Sequence, residues 1–167
     1  MVVGETLVST LAGRRRVEGG TTVSVVRQGA QEAQTPQIGD IVLCRITKVD
    51  PRAARAKVLT VEETPLRGDF GAMIRVQDVR LTQAEQVEMY KSFRPGDVVR
   101  AQVVSLGDKR HYYLATQRND LGVVGAKCAI SGVPMVAASW ETMRCPVTNT
   151  MEHRKVASLT AAAPTQQ

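Results

Sequence analysis

The residues whose type and spacing suggest chemistry first are two cysteines. Cys128-Ala129-Ile130-Ser131 has the C-x-x-C frame with serine in the second place. Cys145-Pro146-Val147-Thr148 repeats the frame with threonine there. Residues 132–144 lie between the two frames, slightly fewer than the commonest zinc-ribbon spacing. The layout is that of a zinc ribbon that kept one cysteine per knuckle. A structural zinc takes four strong ligands, and a neutral hydroxyl replaces neither thiolate nor imidazole. His153 could add a third ligand and no fourth is evident, so Cys128 and Cys145 are expected to be remnants of a lost zinc site. The third cysteine, Cys44, stands apart. An odd, scattered count makes no disulfide framework and fits a reducing compartment.

Other reactive groups offer less. A metal-dependent nuclease needs several carboxylates converging on one site. Glu62-Glu63, Asp78, Glu85 and Glu88 fall before turns or along a short helix, and they are expected to be solvated charges. His111 and His153 have no serine or cysteine that sequence places beside them. The chain lacks a phosphate-binding loop, a dinucleotide fingerprint, a zinc-protease helix and a nucleophile elbow. No catalytic residue and no cofactor are expected.

Basic residues are the better lead. Lys and Arg number 22 against 16 Asp and Glu, a formal charge of +6, while aromatic residues make up 4%. Such a chain holds an anionic partner by charge more than by base stacking. Its hydrophobic content of 43% excludes global disorder. No run approaches the roughly 20 apolar residues that span a bilayer. The N-terminus puts its apolar residues before Arg14-Arg15-Arg16, the reverse of a secretory signal.

The elements that must position these groups are mostly strands. Residues 1–36 hold two β-branched runs, Thr6–Leu11 and Thr21–Val26, joined by a glycine-rich connection with Arg14-Arg15-Arg16 at its tip, and then a polar linker. Residues 37–118 hold five strand segments: Ile41–Val49, Arg55–Val61, Phe70–Val76, Val98–Leu106 and Tyr112–Thr116. A helix is expected between the third and fourth, capped by Thr82 with Glu85 completing a capping box and stopped by Pro95-Gly96. Five strands with that helix are the layout of an OB barrel. Residues 119–160 carry the two cysteine frames with short strands at Pro134–Ala138 and Arg154–Leu159, and 161–167 form a frayed tail. The fold class is all-β.

An OB barrel binds oligonucleotides on its second and third strands and with the loops joining strands one to two and four to five. Those places hold Arg52, Arg55 and Lys57, then Phe70 and Arg75, then Lys109, Arg110 and His111. Charge there grips phosphates without reading sequence. A protein contact or a plainly solvated surface is the other reading of the same cations.

The run Tyr90–Asp108, YKSFRPGDVVRAQVVSLGD, with Asn119–Val124 after it, resembles one family. So do Ser9–Gly13, Val23–Val26, Gly71–Arg80, Trp140–Pro146 and Arg154–Ala157. The chain is similar, over nearly its whole length, to the small cap subunit of the eukaryotic RNA exosome. That family combines an N-terminal β domain, an S1-type OB domain and a zinc-ribbon-derived C-terminal domain. The resemblance implies a non-catalytic subunit that braces a ring of RNase-PH-like proteins beside other cap subunits. It implies a share in lining the RNA entry pore for 3′-to-5′ processing and degradation, ribosomal RNA included. The implied location is nucleus and nucleolus, and also cytoplasm, with no membrane partner. Archaeal members hold zinc with four cysteines and eukaryotic members have commonly lost it. Family members carry a lead before the first strand that this sequence lacks, so the N-terminal domain is expected to be incomplete at its start. The second barrel strand offers Arg55-Ala56-Lys57-Val58 where tight S1 binders are rich in aromatics. Contact with single-stranded RNA is therefore expected to be weak and independent of sequence. The alternatives from other classes are a free-standing OB-type RNA-binding protein and a hydrolytic nuclease. The C-terminal domain is expected to replace the zinc by burying Trp140 and the neighbouring apolar strands.

Overall fold

The computed structural model describes residues 2–3, 6–7, 14–18, 22–26, 35–82, 86–108 and 111–158. The chain divides into two compact units, 1–34 and 35–167. Within the first, β1 (Val2–Val3) pairs antiparallel with β2 (Thr6–Leu7), and β3 (Arg14–Glu18) pairs antiparallel with β4 (Thr22–Val26). Arg14, Arg15 and Arg16 therefore sit in a strand, opposite Val26, Val25 and Ser24, and not at a hairpin tip. β-branched partners on β4 give β3 a template.

The second unit is built around a closed five-stranded barrel. Its strands are β5 (Ile41–Val49), β6 (Ala53–Val61), β7 (Thr64–Arg75), β8 (Val98–Asp108) and β9 (His111–Ala115). β5 pairs with β6 and β8, β6 with β7, and β8 with β9, all antiparallel, and a parallel β7–β9 pairing closes the ring. Closure removes exposed sheet edges. Alternation builds the interior: Val42, Cys44 and Ile46 from β5, Ala54, Ala56 and Val58 from β6, and Ala72 and Ile74 from β7 are buried. Val99, Ala101, Val103 and Leu114 complete it.

Two local expectations change. β7 starts at Thr64, directly after the two-residue turn Glu62-Glu63, with Glu62 at φ +52. The third barrel strand, expected from Phe70, begins at Thr64-Pro65 instead, with Pro65 opposing Thr60 at an irregularity in the ladder. The helix is a single turn, α1 (Met89–Ser92), with Glu88 in extended conformation before it. Thr82 therefore caps no continuous helix, and Glu85 lies outside the described residues. Met89 and Phe93 enter the core where Val87 only packs against it.

The C-terminal part packs onto the barrel. β10 (Gly122–Gly125) pairs with the start of β8. β11 (Val136–Ala137), β12 (Thr142–Arg144) and β13 (Met151–His153) form a small antiparallel sheet. Arg154–Leu159 is not a strand: Val156 makes one bridge to Val123, and 159 onward lies outside the described residues. What holds this segment is a buried ion pair. Arg154, 2% exposed, donates through Nε to Asp97 Oδ2 at 2.7 Å and through Nη2 to Glu152 Oε2 at 3.0 Å. Asp97 also accepts the Arg94 N–H. Burial pushes the Asp97 carboxyl up while the Arg154 charge opposes that rise.

Candidate nucleic-acid interface

Directly opposed residues in a ladder share a face, so the barrel registers decide which side chains meet. Arg55 opposes Met73, and Met73 opposes Tyr113; Lys57 opposes Gly71, and Ala53 opposes Arg75. Arg55, Lys57, Arg75 and Tyr113 therefore share the outer surface across β6, β7 and β9. His111, two residues before Tyr113, has the same parity. Arg52 sits exposed in the β5–β6 turn, with no ion pair among the described residues. Lys109 and Arg110 lie outside the described residues.

Phe70 does not belong to this surface. It opposes the buried Val58 and packs against the core, its ring 6.1 Å from that of Tyr112. The ring that the face does offer is Tyr113, with the Arg75 guanidinium 4.7 Å from its centroid. Sequence reasoning missed Tyr113, although its parity against the buried Leu114 was a usable signal.

On this face Arg55, Lys57 and Arg75 each have a carboxylate partner. Lys57 Nζ lies 2.8 Å from Asp69, Arg55 Nε 3.8 Å from Asp50, and Arg75 Nε 2.6 Å from Asp78. Asp78 is buried beneath Arg75, so it is not the solvated charge expected. Exposed pairs such as Lys57–Asp69 contribute only about 0.2–1 kcal/mol, and a phosphate can compete for their cations. Arg75, tied to a buried carboxylate and a ring, is held in one orientation.

The two cysteine frames do converge. Gly132 N–H donates to the Cys128 carbonyl and Asn149 N–H to the Cys145 carbonyl, both at 2.9 Å. Gly132 and Asn149 are left-handed, so the two turns close alike. Ser131 Oγ lies 3.1 Å from Cys145 Sγ, Thr148 N–H donates to the same sulfur at 3.4 Å, and Thr148 Oγ1 lies 3.9 Å from Cys128 Sγ. The Ser131 hydroxyl, followed by that of Thr148, lowers the Cys145 thiol to about 6. Two thiols and two hydroxyls do not fit a structural zinc, whose four ligands are thiolate or imidazole. Among the described residues no three His, Cys, Asp or Glu side chains cluster as a metal site, and His153 is exposed. Met135, Met143 and Val156 pack with the two cysteines instead. Trp140 takes no part in that core: it is 64% exposed, because strands of two and three residues enclose too little volume to bury an indole.

A family model described as exosome component EXOSC1/CSL4 matches residues 66–106, which run from β7 through α1 into β8. The exosome complex component CSL4 of Mus musculus is 46% identical over 154 residues, 89% of this chain and 78% of that protein. The chain belongs to the CSL4 family of exosome components. The Homo sapiens CSL4 gives the same identity and coverage, and the Schizosaccharomyces pombe csl4 is 37% identical over 84% of this chain and 77% of its own length. A crystal structure titled as a putative exosome complex RNA-binding protein aligns with a TM-score of 0.42 at 24% identity, over 58% of this chain and 52% of that one. The barrel itself is defined by its own pairings. Arg75, Asp78 and Asp97 lie inside the stretch that the family model matches.

Proposed function

We propose that the chain is a non-catalytic cap subunit of the exosome that braces the RNase-PH-like ring and guides single-stranded RNA to its entrance. The observation that carries this reading is the span of the similarity: 46% identity over 89% of the chain reaches beyond the barrel to both flanking segments. The outer face of β6, β7 and β9 supports the RNA part, since Arg55, Lys57, Arg75 and Tyr113 offer phosphate and ring contacts on one surface. A nuclease of its own would need converging carboxylates, and on this face Asp50, Asp69 and Asp78 instead pair with neighbouring cations. By the same reading the protein works in nucleus, nucleolus and cytoplasm.

The test is reconstitution with the ring and the other cap subunits. The 18.1 kDa chain should co-elute in a particle many times its mass, and highly purified protein alone should leave labelled single-stranded RNA intact. A chain that stays monomeric beside a complete ring, or that degrades RNA by itself, would refute the proposal.

A further inference from the structure

Trp140 is the chain's single tryptophan, and it lies exposed beside a cleft of about 590 Å³. Its surroundings are built. The Arg80 guanidinium lies 4.6 Å from the centroid of the indole, and Glu141 holds Arg80 through Nη1 at 3.3 Å. A cation so placed covers one face of a ring and leaves the other open. Gln117, Asn119 and Thr82 line the same cleft with hydrogen-bonding side chains, and Lys155 closes it. Lys155 Nζ donates to the carbonyls of Arg118 and Leu121. Burial, and next the charge of Arg80, push Lys155 down to about 8, while the charge of Asp120 opposes that fall.

We propose that this cleft takes one unpaired nucleotide of single-stranded RNA, with its base stacked on the open face of Trp140 and its phosphate beside Arg80. An open aromatic face, hydrogen-bonding amides at its edge and an arginine whose carboxylate partner, Glu141, is itself half-exposed and open to competition together match a nucleotide's base, base edge and phosphate. The volume suits one such unit. An acidic protein segment would satisfy the cations but would leave the amides and the flat ring without specific use. The site stands apart from the β6–β7–β9 face and would add a second ring contact to that of Tyr113. The inference rests on the reading of the chain as an RNA-guiding subunit.

The indole is its own probe. Full-length protein is titrated at low salt with end-labelled 12-nucleotide oligoadenylate, single-stranded or in a duplex, reading Trp140 emission and label anisotropy together. Saturable quenching that tracks anisotropy is expected for the single strand and not for the duplex. Trp140→Ala should weaken binding by about 5-fold or more, the lower end of one lost stacking contact, while Trp140→Phe retains part of it. Binding with unchanged emission and equal affinity in Trp140→Ala would overturn this inference and leave the cap-subunit reading intact. An absence of RNA binding would also overturn it, whereas that reading is decided by assembly. A blue shift of Trp140 emission on adding ring subunits without RNA would show a protein occupant and overturn it as well.

Discussion

The Ser131 hydroxyl, 3.1 Å from the Cys145 sulfur, stabilises negative charge on that sulfur. Cys44 shows the opposite environment: buried in the barrel with only the Val99 carbonyl near its sulfur, its thiol is pushed up to about 12. The sign for Cys145 follows from its folded-state value of about 6 against an ordinary 9. The group contributes stability fully above pH 9 and loses it as pH falls through 6. Between pH 5.5 and 7, below the range in which Lys155 titrates, the urea midpoint should rise with pH. Ser131→Ala should flatten that rise, and parallel profiles for the two proteins would refute the assignment. A second residue-scale prediction concerns Arg154. Arg154→Met leaves Asp97 buried and without its cation, and should cost about 3–5 kcal/mol in urea unfolding. A loss under 1 kcal/mol would mean that the pair is incidental to docking of the C-terminal segment.

At the scale of elements, the barrel face is set by register. Arg55 and Lys57 share a parity on β6, and the β6–β7 and β7–β9 pairings bring them beside Arg75 and Tyr113. Each phosphate contact on a single strand contributes a slope of roughly −0.7 to log K against log salt. Replacing both Arg55 and Lys57 by Gln should therefore make that slope shallower by about 1.4 while leaving discrimination among RNA sequences unchanged. Fluorescence anisotropy across a salt series reads this directly, and an unchanged slope would assign the two cations to Asp50 and Asp69 alone. The β8–β9 connection depends on Gly107, at φ +63, where a Cβ would overlap the His111 carbonyl oxygen. Gly107→Ala should lower stability by at least about 1 kcal/mol in thermal melts, since both the conformation and the contact oppose a side chain. An unchanged melting temperature would show that the hairpin can re-form in another way.

On the whole-molecule scale, the second unit is one packed body: Arg154, Lys155 and Val156 bond to Glu141, Ser92 and Trp140 through their backbones and draw the small sheet, α1 and β10 together. Such packing needs no metal, so a chelator should leave the melting temperature unchanged and elemental analysis should find no stoichiometric zinc. A drop of several degrees on chelation would refute this. The sequence by itself determined what depends on local period. Two-residue alternation marked the barrel strands, Pro95-Gly96 marked the end of the helical turn, and the paired C-x-x-S and C-x-x-T frames marked the ribbon. The same period carried the inward parity of Phe70 with Ala72 and Ile74, legible once strand direction is fixed. Only the tertiary structure decided the rest. Arg154 is polar in any local window, and its burial follows from Asp97, 57 residues away. Arg14–Arg16 form a strand because β4 lies beside them, a partner that local turn signals do not reveal. Trp140 is exposed because the sheet around it is too small, while Arg80 reaches it from the far side of the barrel sequence. Alternation is written in neighbours along the chain; burial, ion pairing and ring contacts are fixed by which distant segments closure brings together.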